Sequence, residues 1–165
     1  MDDDGLGHPE LYINRELSML EFHRRVLAQA KDETVPLLER LRFLCITSSV
    51  LDEFFEIRVA GLKQQEAHGG QHRGPDNMLP SEQLRRISQT AREVIDEQYE
   101  VLNEVLLPAL DAQDIRFIAP EDWNDGQRRW IKGFFRDELQ PVVSPIGLDP
   151  AHPFPQLLNL SLIHI

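Results

Sequence analysis

PLLERLRFLCITSSVLDEFFEIRVAGL, from Pro36 to Leu62, is the stretch whose reading decides the fold. Pro36 suits the first turn of a helix, where its missing amide would be unpaired in any case, and Leu37, Leu41 and Leu44 then line one face at helical spacing. Thr47-Ser48-Ser49 reads as a break, because short hydroxyl side chains compete for the backbone and a branched one crowds it. Ser49, with Asp52 three residues on, has the pattern of a cap for a new start. The spacing predicts a further helix from Val50 to His68, with Leu51, Phe55 and Leu62 on one face, Phe54 and Ile57 beside it, and Gly69-Gly70 ending it. In this phase Leu51, Phe54 and Phe55 belong to a hydrophobic core and not to a ligand site.

Upstream, Ser18 and Glu21 have capping-box spacing with Leu17 and Phe22 as a flanking staple. They predict a helix from Met19 to Ala30 that buries Met19, Phe22, Val26 and Ala30. Before it, MDDDGLGHPE from Met1 to Glu10 has no periodicity and reads as a mobile tail. Downstream, GGQHRGPDNMLP from Gly69 to Pro80 reads as a connector. Ser81 then caps a long helix carrying Leu84, Ile87, Ala91, Val94, Val101 and Val105 as far as Pro108 and Asp111. Four helices with short links predict an antiparallel four-helix bundle over residues 11–111.

Past the bundle the texture changes. Ile115 to Ile118 reads as a short strand, Asn124 to Leu139 as an amphipathic helix, and Pro141 to Leu148 as a strand interrupted by Pro145. The fold class is therefore mainly α, a bundle followed by the beginning of an α+β domain over residues 112–159. About 50 residues are fewer than an independent domain usually contains, so this second domain reads as cut short. The last six residues, LSLIHI from Leu160 to Ile165, equal the translation of CTG TCT CTT ATA CAC ATC, a transposon mosaic end used in sequencing libraries. The expectation is that the natural frame is represented only to about Asn159, and His164 is not read as catalytic.

With 41% hydrophobic and 27% charged residues in 165, the composition is that of a folded globular chain and excludes disorder along most of its length. The formal net charge of -11 repels phosphate backbones and anionic lipid heads, which disfavours non-specific nucleic-acid binding. A single cysteine, Cys45, has no internal disulfide partner and fits a reducing compartment. The acidic start does not resemble a signal peptide, and no apolar run approaches the roughly 18 residues of a membrane span. The expected location is the cytoplasm, with no membrane span.

Few residues carry chemistry by pattern alone. His68 and His72 have i, i+4 spacing, but Gly69 and Gly70 intervene and no acid supports them, so no metal site is expected. Asp52-Glu53 reads as a pair of acids favoured by a helix start before it reads as a magnesium site. Arg40, Arg42 and Arg58 flank the Ser48-Ser49 break, where free amides of Val50 and Leu51 would be open to an anion or a nucleotide. There is no Gly-rich phosphate loop, nucleophile elbow or Cys/His cluster, so no catalytic residue is expected.

Three blocks carry a resemblance: YINRELSMLEFHRRVL from Tyr12, the stretch from Pro36 quoted above, and SPIGLDPAHPFPQLLN from Ser144. In order and content they resemble the amino-terminal part of polyphosphate kinase, the bacterial enzyme family that polymerises the terminal phosphate of ATP. The resemblance implies a helical amino-terminal domain, a following head domain, and two phospholipase D-like domains, absent here, that hold a phosphorylated histidine. It implies ATP and polyphosphate as substrates, Mg2+ with the ATP, and a homo-oligomeric parent. This part would then supply a nucleotide-pocket wall and part of a subunit interface, and would be inactive alone. Members of the family usually carry an asparagine just before the LDEF run, where the amino-terminal domain meets the nucleotide. Val50 stands there, with Ser49 as the neighbouring polar group, and a valine has no donor or acceptor to offer. The other reading is a non-catalytic helical protein-interaction module. Val50 favours that reading, and the pairing of SSVLDEFFEIRVAGL with GLDPAHPFPQLLN favours the kinase.

Overall fold

The structure is a computed structural model and describes residues 7–144, 147, 149–151 and 153–154. Helix α1 (Arg15–Lys31) starts four residues earlier than the Ser18 pattern predicts. The Asn14 side chain accepts hydrogen bonds from the amides of Glu16 at 3.0 Å and Leu17 at 2.9 Å, two donors with no helical partner of their own. Asn14 also donates from Nδ2 to the Asp76 carboxylate at 2.6 Å, so a contact 62 residues away holds the cap in place. Ser18 is left inside the first turn, its amide donating to the Asn14 carbonyl.

The break expected at Thr47-Ser48-Ser49 is absent. Helix α2 (Leu37–Glu53), a π turn (Phe54–Val59) and α3 (Ala60–Ala67) follow one another without interruption as a single rod. Thr47 is fully buried and its hydroxyl donates to the Phe43 carbonyl at 2.9 Å, four residues back, which satisfies it without breaking the helix. The rod stops where Gly69 takes φ 70°. There Gly69 donates to the Glu66 carbonyl at 3.0 Å and Gly70 to that of Gln65 at 2.8 Å, the paired bonds of a Schellman ending. A Cβ on Gly70 would lie 2.6 Å from the Gln65 carbonyl oxygen, so that position needs glycine as well.

A second long rod comprises α4 (Pro80–Glu100), a π turn (Val101–Leu106) and α5 (Leu107–Asp111). Pro80 takes its first position and Leu79 precedes it, so Ser81 is not the cap. Helix α1 packs on α2 and α4, and α3 packs on α4. One core cluster joins Leu20 to Leu51, Phe54, Val59, Leu62, Ile87 and Ala91, and the other joins Leu27 and Ala30 to Leu44, Val94, Val101 and Leu106. As α1 advances from Leu20 to Ala30, its partners run backwards from Leu51 to Leu44 and forwards from Ile87 to Val94. The middle rod is therefore antiparallel to both others. Arg24 to Glu93 and Lys31 to Glu97 bridge α1 and α4 in the same register.

The expected bundle of helices is borne out, but its phase differs in three places. In α1 the buried residues are Glu16, Leu20, His23, Leu27 and Ala30, so Met19 and Phe22 face outward at 41% and 45% exposure. Phe55, expected in the core, is 37% exposed, and Val105 is 39% exposed. Both errors have one cause: each π turn inserts a residue, and the core face steps by five, from Phe54 to Val59 and from Val101 to Leu106.

The chain divides into two compact units, Met1–Phe117 and Ile118–Ile165. In the second, α6 (Asp125–Phe134) begins with a capping box in which Asn124 and Gln127 satisfy each other's backbone amides, each at 2.9 Å. A π turn (Phe135–Leu139) continues it, so the helix expected over Asn124 to Leu139 is present. Trp130 and Phe134 stack at 5.3 Å, yet no residue of α6 is buried. No strand occurs among the described residues: Ile115 to Ile118 does not pair, and Pro141 and Val142 lie in a turn. A strand exists only through a neighbour that accepts its hydrogen bonds, and none is offered there. Residues 145, 146 and 148 of the second expected strand, 1–6 of the expected tail and 160–165 lie outside the described residues.

Candidate functional site

The outward turn of Met19 and Phe22 has a consequence across the interface. Together with His23 they form one side of a cleft of about 330 Å³, and the other side comes from Val50 and Glu53 of α2 and from Phe54, Ile57 and Arg58 of the π turn. The π turn builds that second side. Its extra residue leaves Ile57 60% exposed toward the cleft and sets Arg58 half-buried beside Glu16, with which it pairs. Turns of this type are frequent at functional sites because they re-aim side chains without ending the helix.

His23 lies at the base of the cleft and is 1% exposed. Its ring meets Phe54 edge-on at 5.8 Å and Phe22 at 6.3 Å, arrangements that aromatic quadrupoles favour. Its Nδ1 is buried without a hydrogen-bond partner. Burial lowers its pKa below 6.5, so the ring is neutral at pH 7. The Arg25 guanidinium sits 5.7 Å from the Phe22 ring centre, a cation over the face of an aromatic at the rim. Such a cleft can hold a flat, largely apolar group. It offers no nucleophile paired with a base, and no group of three or more metal-ligating side chains occurs among the described residues.

Of the two residues singled out for nucleotide contact, Val50 is half-buried in the cleft wall, whereas Ser49 is exposed in mid-helix and is not part of the lining. Ser49 caps nothing, and the amides of Val50 and Leu51 are not free, because the helix runs through them. The three arginines do not converge. Arg40 is nearly buried and donates from Nε to the Ala30 carbonyl at 2.9 Å, closing the end of α1; Arg42 lies 3.7 Å from Glu39; Arg58 pairs with Glu16. His68 ends α3 with Nδ1 2.7 Å from the Gln64 carbonyl, and His72 is in the connector. Asp52 is exposed within α2, not at a helix start, and only Glu53 of that pair reaches the cleft. His23, Met19 and Phe22 were missed as site residues. The available signal was a histidine at core spacing from Leu20 and Leu27.

A family model of the polyphosphate kinase N-terminal domain matches residues 12–118, and one of the polyphosphate kinase middle domain matches residues 126–165. The polyphosphate kinase of Pseudomonas aeruginosa is 54% identical over 162 residues, which cover 98% of this chain and 23% of the relative. That of Neisseria meningitidis serogroup B is 53% identical over 148 residues, 90% of this chain and 22% of the relative. The crystal structure of polyphosphate kinase from Porphyromonas gingivalis matches with a TM-score of 0.67 at 27% identity, covering 88% of this chain and 20% of that one. The chain thus spans less than a quarter of the length of these curated relatives.

Proposed function

The chain belongs to the polyphosphate kinase family, and from that premise we propose that it is the amino-terminal part of a cytoplasmic enzyme that transfers the terminal phosphate of ATP to a growing polyphosphate chain. In this reading the cleft between α1 and the middle rod is one wall of the nucleotide pocket. The observation that carries it is Val50: the position before the LDEF run, where the family's asparagine meets the nucleotide, lines this cleft. A volume of about 330 Å³ is at the lower end of the range for small-ligand sites, roughly 300–1,000 Å³.

Phosphoryl transfer is catalysed mainly by positioning and by charge stabilisation of the transferring group. Phe22, Met19, Val50 and Ile57 serve the first task by holding the base. The second needs cations around the phosphates and a histidine to carry the phosphoryl group, which the parent supplies beyond this chain. Mg2+ would travel with the nucleotide phosphates; the described residues do not fit it, so no step here runs through the metal. A net charge of -11 suits a lateral position away from the polyanion. The same reading includes a homo-oligomeric parent to whose subunit interface this region contributes, and no polymer made by the chain alone. A free-standing interaction module is not favoured, because the family match runs through the bundle and on past it.

The test is nucleotide titration of the full-length parent. Phe22→Ala is expected to weaken ATP binding about ten-fold, since stacking of a base on an aromatic ring is worth about 1–3 kcal/mol. Val50→Asn is expected to tighten it several-fold, by about 0.5–1.5 kcal/mol for one added hydrogen bond. Unchanged affinity in both, with unchanged melting temperatures, would remove the nucleotide from this cleft.

A further inference from the structure

Deepening the nucleotide-wall reading, on which it rests, we propose that His23 is a base-contacting residue of this wall, its Nε2–H donating to a ring nitrogen of the adenine held in the cleft. Two of the lining residues are buried, His23 at 1% and Phe54 at 3% exposure, and they form the floor. Met19 and Phe22 rise on one side and Val50 and Ile57 on the other, with side chains that carry no N–H or O–H. A flat ring between those walls meets them with its faces and turns an edge to the floor. Phe54 has no polar side-chain atom, so among the lining side chains His23 alone can bond that edge from below. Arg58 meets Glu16 through Nη2 only and keeps Nε and Nη1 as donors, and Glu53 keeps its carboxylate. Both belong to the mouth: Glu53 is exposed and the Arg58 side chain is 35% exposed, so water competes for their hydrogen bonds.

The two ring nitrogens of His23 differ. Nδ1 is sealed from solvent and has no partner. Nε2 is not sealed in this way and no described residue bonds to it, so it is the nitrogen left open to the cleft. Burial keeps the ring neutral at pH 7, and a neutral imidazole carries one proton. That proton belongs on Nε2, because a buried N–H without an acceptor is tolerated less readily than a buried acceptor without a donor. The floor therefore presents one donor, and its complement is an acceptor in the plane of the base, which adenine offers at N1, N3 and N7. The exocyclic amino group would set donor against donor. A base lacking the acceptor leaves the imidazole N–H unpaired in a buried place, which is how a polar group discriminates where apolar contact does so weakly. The hydrogen bond that Val50 cannot make from α2 is thus supplied from α1, across the cleft.

The experiment titrates the full-length parent with ATP and with its 1-deaza, 3-deaza and 7-deaza analogues, each of which replaces one ring nitrogen by C–H. Wild type is compared with His23→Phe, His23→Leu and His23→Gln, with a thermal melt of each. Wild type is expected to bind one analogue about five-fold more weakly than ATP, the effect of one lost hydrogen bond. His23→Phe keeps a ring without its nitrogens, and His23→Leu removes the donor with a smaller side chain should the phenyl ring disturb the fold. Either is expected to bind ATP about five-fold more weakly and to bind ATP and that analogue within about two-fold of each other. His23→Gln, whose amide nitrogen reaches about as far as Nε2, is expected to retain the preference for ATP. A structural role for His23 would weaken ATP and the analogues alike and leave the preference unmoved. Three analogues that bind wild type as tightly as ATP would overturn the proposal, and so would a preference that persists in His23→Phe or His23→Leu. In either case the nucleotide-wall reading stands if Phe22→Ala weakens ATP, and it falls as well only if Phe22→Ala and Val50→Asn also leave the affinity unchanged.

Discussion

Two π turns interrupt the long rods of the bundle, and only one of them makes a cleft. In Val101–Leu106 the five-residue step carries the core face from Val101 to Leu106, at 4% and 0% exposure, and turns Val105 out. In Phe54–Val59 the same step carries it from Phe54 to Val59, at 3% and 4%, and turns out Phe55 and Ile57. The backbone device is the same, and the surroundings differ. Beside the first rod's turn, α1 presents a second apolar edge, Met19 and Phe22, so the displaced residues share a concave surface with it. A π turn rephases a helix; a cleft also needs an apolar edge facing it.

The sharpest way to break this comparison is to truncate the core residue at each turn. Phe54→Ala is expected to cost about 3–5 kcal/mol and Leu106→Ala about 2–5 kcal/mol in urea melts, because each loses transfer energy and leaves a cavity. Melts coincident with wild type would place either turn outside the core. A smaller effect separates the two turns. Arg58→Ala strands the Glu16 carboxylate, whose side chain is only 10% exposed, and is expected to cost about 1–3 kcal/mol, toward the lower value because Arg58 itself is 35% exposed. An indifferent Arg58→Ala would make the cleft-side turn independent of that ion pair.

His23 gives the cleft-side turn a dependence on pH. Because burial lowers its pKa, the unfolded chain binds the proton below 6.5 before the folded chain does. Stability is therefore complete above that value and falls as the pH drops through it. Urea midpoints of wild type and His23→Phe at about pH 7.5 and about pH 5.5 test this, and the variant is expected to lose less on acidification. Equal losses would show that His23 titrates alike in both states. The smallest effects belong to the displaced residues: Phe55→Ala and Val105→Ala are each expected to cost under about 1 kcal/mol, within the range of surface substitutions. A Phe55→Ala cost equal to that of Phe54→Ala would restore the uninterrupted helical phase and remove the π turn.

Much of the architecture was legible in the residues. Gly69-Gly70 ends its helix as expected, because a left-handed residue at that point suits glycine and the bond from Gly70 leaves no room for a side chain. Asn124 starts α6 because its cap is complete within four residues. The cap of α1 was misread, since Asn14 and Ser18 are both good candidates locally and the choice depends on Asp76, far away in sequence. Within the candidate site, Val50 was reached through the family resemblance. Ser49 was singled out by a helix break that does not exist.

What the sequence determined by itself is the helical character of the chain, most of its ends and its family, because periodicity, caps and motif blocks are local properties. Only the tertiary structure decided which face of each helix is inside. Helix α1 has apolar residues at 19, 22 and 26 as well as at 20 and 27, two overlapping stripes that satisfy helical spacing equally. Packing against Leu51 and Ile87 selects the stripe of Leu20 and Leu27 and leaves Met19 and Phe22 free for the cleft. The π turns are decided in the same way. One extra residue in a turn changes little in the local hydrogen bonding, and it is kept because it lets the core residues on both sides of it, Phe54 and Val59, reach the same interior at once.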